Sequence, residues 1–111
     1  MQKETSAERY HCDLTALDPI QRRRRAQLAT EVWPKSLEMR EQATGYDFRF
    51  EFTPSLFTNI AELATLEHLC CSFFEITLEI EKNSNRLWLR LVGDPGVKQF
   101  IQAELNSESP R

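Results

Sequence analysis

Glu67-His68-Leu69-Cys70-Cys71 gathers a carboxylate, an imidazole and two adjacent thiols at the end of an amphipathic segment. Adjacent cysteines are poor partners for one another, because a ring closed between neighbours strains the intervening peptide. Two neighbouring thiolates do suit a soft, thiophilic metal or metalloid ion. The first segment offers Cys12 or His11 as a third ligand, so the candidate metal set is Cys70, Cys71, Glu67 and Cys12. The spacing lacks the two separated ligand pairs of a zinc ribbon or finger. A thiolate nucleophile is disfavoured by the partial negative charge at a helix C-terminus, which a protonated His68 would offset. The plain structural alternative makes one cysteine a small apolar core residue and leaves the other partly exposed.

The segment that must present these groups reads as a helix from about Pro54 to Cys71. Thr53 can cap it, and Pro54 at its first position needs no backbone donor. At about 100° per residue, Leu56, Ile60 and Leu63 mark the apolar arc, with Ser55, Thr58, Glu62 and Thr65 opposite. Glu67 falls inside that arc, flanked one turn on by Cys70 and Cys71, while His68 lies at its edge. A carboxylate on the core side must be paired, hydrogen-bonded or neutral. Arg22, Arg25 and the Tyr46 hydroxyl are the candidate partners.

The flanking elements follow from the same patterning. Asp18 and Pro19 start a first helix whose apolar side is Leu28, Ala29, Val32, Trp33 and Leu37, with a break expected near Trp33 because Pro34 lacks an amide. Tyr10 to Leu17 is read as a short first strand. Tyr46-Asp47-Phe48-Arg49-Phe50-Glu51-Phe52 alternates as a half-buried strand. Phe74, Ile76, Leu78 and Ile80 face inward from the next strand, and Leu87, Leu89 and Leu91 from its hairpin partner. A loop of Lys82-Asn83-Ser84-Asn85 would pair Glu81 with Arg86, Glu79 with Trp88 and Thr77 with Arg90. Asp94-Pro95 opens a third helix with Val97, Phe100, Ile101 and Leu105 as its stripe. The expected fold is α+β with two layers: an antiparallel sheet of three to four strands, with three helices mainly on one face. The outer face, with Trp88 at its centre, is either solvated or the contact surface of a homodimer.

The chain has 111 residues, 41% of them hydrophobic and 28% charged, with a net charge of −3. These are values of one globular domain, expected over residues 10–106 with flexible ends at 1–9 and 107–111. Nothing in the charge balance points to a nucleic acid or an anionic membrane as partner. No apolar run reaches the length of a membrane span, and residues 1–9 lack the apolar segment of a secretory signal. A cytoplasmic protein with reduced thiols is therefore expected, the more so because three cysteines do not make a paired framework. Arg22 to Arg25 covers a full helical turn, so its charges diverge and form no phosphate-binding stripe. Gly93-Asp94-Pro95-Gly96 lacks the glycine spacing of a phosphate loop.

From about Cys12 to Leu105 the chain resembles a group of small, uncharacterised bacterial proteins. The shared outline is a Gly-Tyr-led aromatic strand, here Gly45 to Phe50, and a helix ending in Glu-x-x-Cys-Cys-Pro-Phe. Here that ending reads Glu67 to Phe73, with Ser72 in place of the proline. A leucine-rich strand, Leu87 to Leu91, and a Gly-x-x-Gly-x-Lys-x-Phe ending, Gly93 to Phe100, complete the outline. The resemblance implies these fold boundaries and singles out Glu67, Cys70 and Cys71; it implies no substrate. The functional expectation is a small binding or sensing protein whose vicinal cysteines take a soft metal or metalloid ion. The alternatives are an interaction or dimerisation module with structural cysteines, and a thiol-dependent enzyme.

Overall fold

The computed structural model describes residues 12–108; Tyr10, His11 and the side chain of Leu105 lie outside the described residues. Helix α1 spans Pro19–Val32, strand β1 Glu38–Gln42, β2 Gly45–Glu51, helix α2 Pro54–Cys70, β3 Glu75–Ile80, β4 Arg86–Val92 and helix α3 Val97–Glu108. The four strands form one antiparallel sheet in the order β1-β2-β4-β3. The fold is thus a two-layer α+β arrangement with three helices.

Alternation sets the sheet's two faces. Tyr46, Phe48 and Phe50 lie opposite Leu91, Leu89 and Leu87, which in turn lie opposite Ile76, Leu78 and Ile80. This face, apart from Ile80, which is exposed at the hairpin end contrary to expectation, shares one core with Leu28 and Val32 of α1, Leu56, Ile60, Leu63, Leu66 and Cys70 of α2, and Val97, Phe100 and Ile101 of α3. The hairpin has the expected register, with Thr77 against Arg90 and Glu79 against Trp88. Glu81 N–H donates to the Arg86 carbonyl at 2.9 Å, and the two side chains form an ion pair.

The helix starts obey local chemistry. Asp18 accepts from Gln21 N–H at 2.8 Å while the Gln21 side chain accepts from Asp18 N–H at 2.9 Å, a reciprocal cap. Thr53 accepts from Leu56 N–H at 3.1 Å ahead of Pro54. α1 ends at Val32, and Pro34 lies in a short 3₁₀ turn over Trp33–Lys35. Two expectations are corrected. Residues 12–17 hold a 3₁₀ turn at Leu14–Ala16 in place of a strand, because Asp13 accepts from Thr15 N–H and folds the backbone back. Leu37 does not extend the buried side of α1. It is exposed, and its N–H donates to the Arg49 carbonyl at 2.7 Å, leading into edge strand β1.

The outer face covers itself with charge. Asp47, only 2% exposed, accepts from Arg90 Nε at 2.8 Å and from Gln42 Nε2 at 2.7 Å. Trp88 is 5% exposed, with the Arg40 guanidinium 4.1 Å above its ring and its Nε1–H donating to Glu81 at 3.1 Å. Long polar side chains thus take the place of a second apolar layer.

Gly45 shows how close β2 and β4 run: a Cβ there would stand 1.9 Å from the Leu91 carbonyl oxygen. Gly45→Ala should therefore destabilise the fold by about 3 kcal/mol, the upper end of overpacking costs. Urea denaturation measures this, and a loss below about 1 kcal/mol would show that the two strands can part without cost.

Candidate thiol site

Glu67 and Cys70 occupy the last turn of α2, and Cys71 caps it, its N–H donating to the Glu67 carbonyl at 2.6 Å. The chain before α1 folds against this end. Asp13 N–H donates to the Cys70 carbonyl at 2.8 Å, Leu17 is buried, and Arg22 Nη1 donates to the carbonyls of Leu14 and Leu17 at 3.2 and 3.1 Å. Cys12 is thereby brought beside Cys71, their Cα atoms 4.6 Å apart, and the two are joined in a disulfide.

This corrects the expectation of three reduced thiols. The two sulfurs are 59 residues apart in sequence, so spacing along the chain could not show that the fold puts them within disulfide reach. Cys70 is the free cysteine among the described residues; its sulfur lies 3.6 Å from that of Cys71. Glu67 Oε2 lies 3.5 Å from the Cys71 sulfur. The ligand atoms of Cys12, Glu67, Cys70 and Cys71 all fall within 4.8 Å of one another, a grouping that could hold a metal ion. His68 is exposed, and His11 lies outside the described residues.

Of the cations expected near Glu67, Arg25 reaches it. Arg25 Nε lies 2.8 Å from Glu67 Oε1 across the α1–α2 seam, with the two side chains only 18% and 16% exposed. Arg24 instead makes two bonds to Glu62, at 2.9 and 2.8 Å. Arg22, Arg24 and Arg25 therefore secure the first segment and α2, while Arg23 is exposed. Sequence periodicity singled out Glu67, but it could not choose among its partners.

Burial sets the electrostatics. It pushes the Glu67 carboxyl above its ordinary value near 4.5, outweighing the attraction of Arg25, with Glu104 adding repulsion. Burial also pushes the Cys70 thiol up, and the Glu67 charge adds to that. A thiol held protonated does not suit a nucleophile. It suits a ligand that gives up its proton when an ion arrives.

A cavity of about 50 Å³ opens beside the cluster, between the helices and the sheet. Cys12, Arg25, Glu67 and Glu104 form its polar part, and the rest is apolar, including Trp33, Leu63 and Phe100. No sequence pattern announced it, because its walls come from six separate elements and the first segment.

Two measurements probe this arrangement. A cross-link spanning 59 residues should contribute about 4 kcal/mol by loop-entropy arithmetic. Cys12→Ser should lose that amount in non-reducing urea denaturation, and the difference should vanish under reductant; equal stability without reductant would show that the bond constrains nothing. The second concerns Glu67. Its folded carboxyl keeps a proton to higher pH than the unfolded one, so the native state binds more protons across that window. The stability it confers is present below the ordinary value and falls as pH rises through the raised one. Glu67→Gln should abolish this fall in a series of denaturation midpoints against pH, and parallel profiles would contradict it.

No family model, no curated protein and no solved structure matches this chain.

Proposed function

We propose that the protein, with Cys12 and Cys71 reduced, binds a soft metal or metalloid ion through Cys12, Cys70 and Cys71. The observation that carries this reading is the convergence of three sulfurs and a Glu67 oxygen within 4.8 Å. Soft thiolates select thiophilic ions, and three of them around one point suit trivalent arsenic or mercuric ion better than a hard cation. With mercuric ion each thiol releases its proton on binding, so affinity rises with pH; with arsenous acid each thiol proton leaves with a hydroxyl as water. Glu67 beside the Cys71 sulfur can take up a proton as it leaves, and Arg25 offsets the negative charge that the thiolates bring.

The Cys12–Cys71 bond gates this function. While it stands, two of the three sulfurs are unable to ligate, and the chain offers Cys70 alone. The protein would thus report on an ion only where thiols are kept reduced. A binding or sensing role follows more readily than catalysis, because the Cys70 thiol is pushed up by burial and not activated.

The same bond favours a second reading, in which the cysteines serve structure alone. Cys70 and Cys71 belong to the buried core, and the disulfide staples the first segment to the end of α2. A homodimer through the outer sheet face would have to displace Arg40 from Trp88.

Titration of reduced protein with arsenite or mercuric ion separates the readings. One ion per chain is expected, with no uptake at equal concentration by the disulfide form. Removing even the outer partners of a metal site costs about 10–100-fold in affinity, so Cys70→Ser/Cys71→Ser should lose at least about 100-fold. Unchanged stoichiometry and affinity in the double variant would leave only the structural role.

A further inference from the structure

The cavity and the thiol cluster share two members, Cys12 and Glu67, while Cys70 and Cys71 are not among the cavity's lining residues. An ion held by Cys12 therefore borders the cavity, and the Cys71 sulfur stands next to that of Cys12. That space is about 50 Å³. A cavity of about 150 Å³ accepts benzene, so this one suits a group of one or two carbons and excludes a ring. Its walls toward the core are apolar: Leu63, Ala64, Phe74, Leu89 and Ile101 among them. A bare oxyanion or hydrated ion gains nothing from such walls, whereas an alkyl group does.

Resting on the ion-binding reading above, we propose that the site's preferred cargo is a trivalent arsenical carrying one small alkyl group, with methylarsonous acid as the type. A dithiol reductant first reduces the Cys12–Cys71 bond by two electrons and two protons, becoming a disulfide itself. The Cys12 and Cys71 thiols then each replace a hydroxyl on arsenic. Two arsenic–oxygen bonds break and two arsenic–sulfur bonds form, and each thiol proton leaves with a hydroxide as water. Arsenic stays trivalent and its bond to carbon is untouched. The alkyl group is the third substituent and lies in the apolar cavity, worth about fourfold in affinity per buried carbon. A phenyl group overfills the space, at a cost of about tenfold or more.

The test titrates reduced protein with methylarsonous acid, phenylarsonous acid and inorganic arsenite, each in competition with dithiothreitol, a dithiol that has no cavity. The methyl-to-phenyl affinity ratio should exceed that of dithiothreitol by about tenfold or more. Thiol counting should leave one free thiol per chain after methylarsonous acid and none after arsenite. Ala64→Leu, and the milder Ala64→Val, fill the cavity and should remove the methyl preference while arsenite binds as in wild type. A methyl-to-phenyl ratio equal to that of dithiothreitol would overturn the proposal, as would variants that weaken methylarsonous acid and arsenite alike. Binding of arsenite without alkyl preference overturns this inference only; no uptake of any of the three overturns the ion-binding reading with it.

Discussion

Glu67 sits on the core side of α2, where a carboxylate without a partner would be strongly unfavourable, and Arg25 answers it from α1 at 2.8 Å. Such a pair adds little net stability over an apolar contact, but loss of one partner is costly. Its effect is therefore to fix how α1 lies on α2. With that seam set, the residues before α1 must fall against the end of α2, where Asp13 binds the Cys70 carbonyl and Leu17 is buried. Cys12 is held beside Cys70 and Cys71 by these contacts together with its bond to Cys71.

Three sulfurs so held have two distinct chemistries. Oxidised, Cys12 and Cys71 close a long loop and Cys70 is an inert buried thiol. Reduced, the same positions present three thiols facing one point, beside a carboxylate already balanced by an arginine. Burial raises both the Glu67 carboxyl and the Cys70 thiol above their ordinary values, so neither is set up as an activated nucleophile.

Much of the fold was legible because burial imposes a period. The run from Tyr46 to Phe52 alternates without a miss, and the β3–β4 register follows from pairing Thr77 with Arg90 and Glu79 with Trp88. Helical periodicity alone puts Glu67 on the core side of α2, where its side chain lies largely enclosed against Arg25. β1 escaped notice because Glu38-Met39-Arg40-Glu41-Gln42 is an edge strand that buries no side chain fully; backbone pairing with β2 holds it, and pairing leaves no mark on residue type. Asp47 reads as an outer-face residue because its alternation is right, yet it is buried there, its cover coming from Gln42 and Arg90 on neighbouring strands. The Cys12–Cys71 bond and the cavity depend on contacts between distant segments, which no local pattern encodes.

The shared thiol site is tested most directly by X-ray absorption at the arsenic edge of reduced protein loaded with inorganic arsenite. Three sulfur neighbours around arsenic are expected in the wild type, and two sulfurs with one oxygen in Cys12→Ser. An oxygen-dominated shell, or the same two sulfurs with and without Cys12, would contradict a site built from all three cysteines.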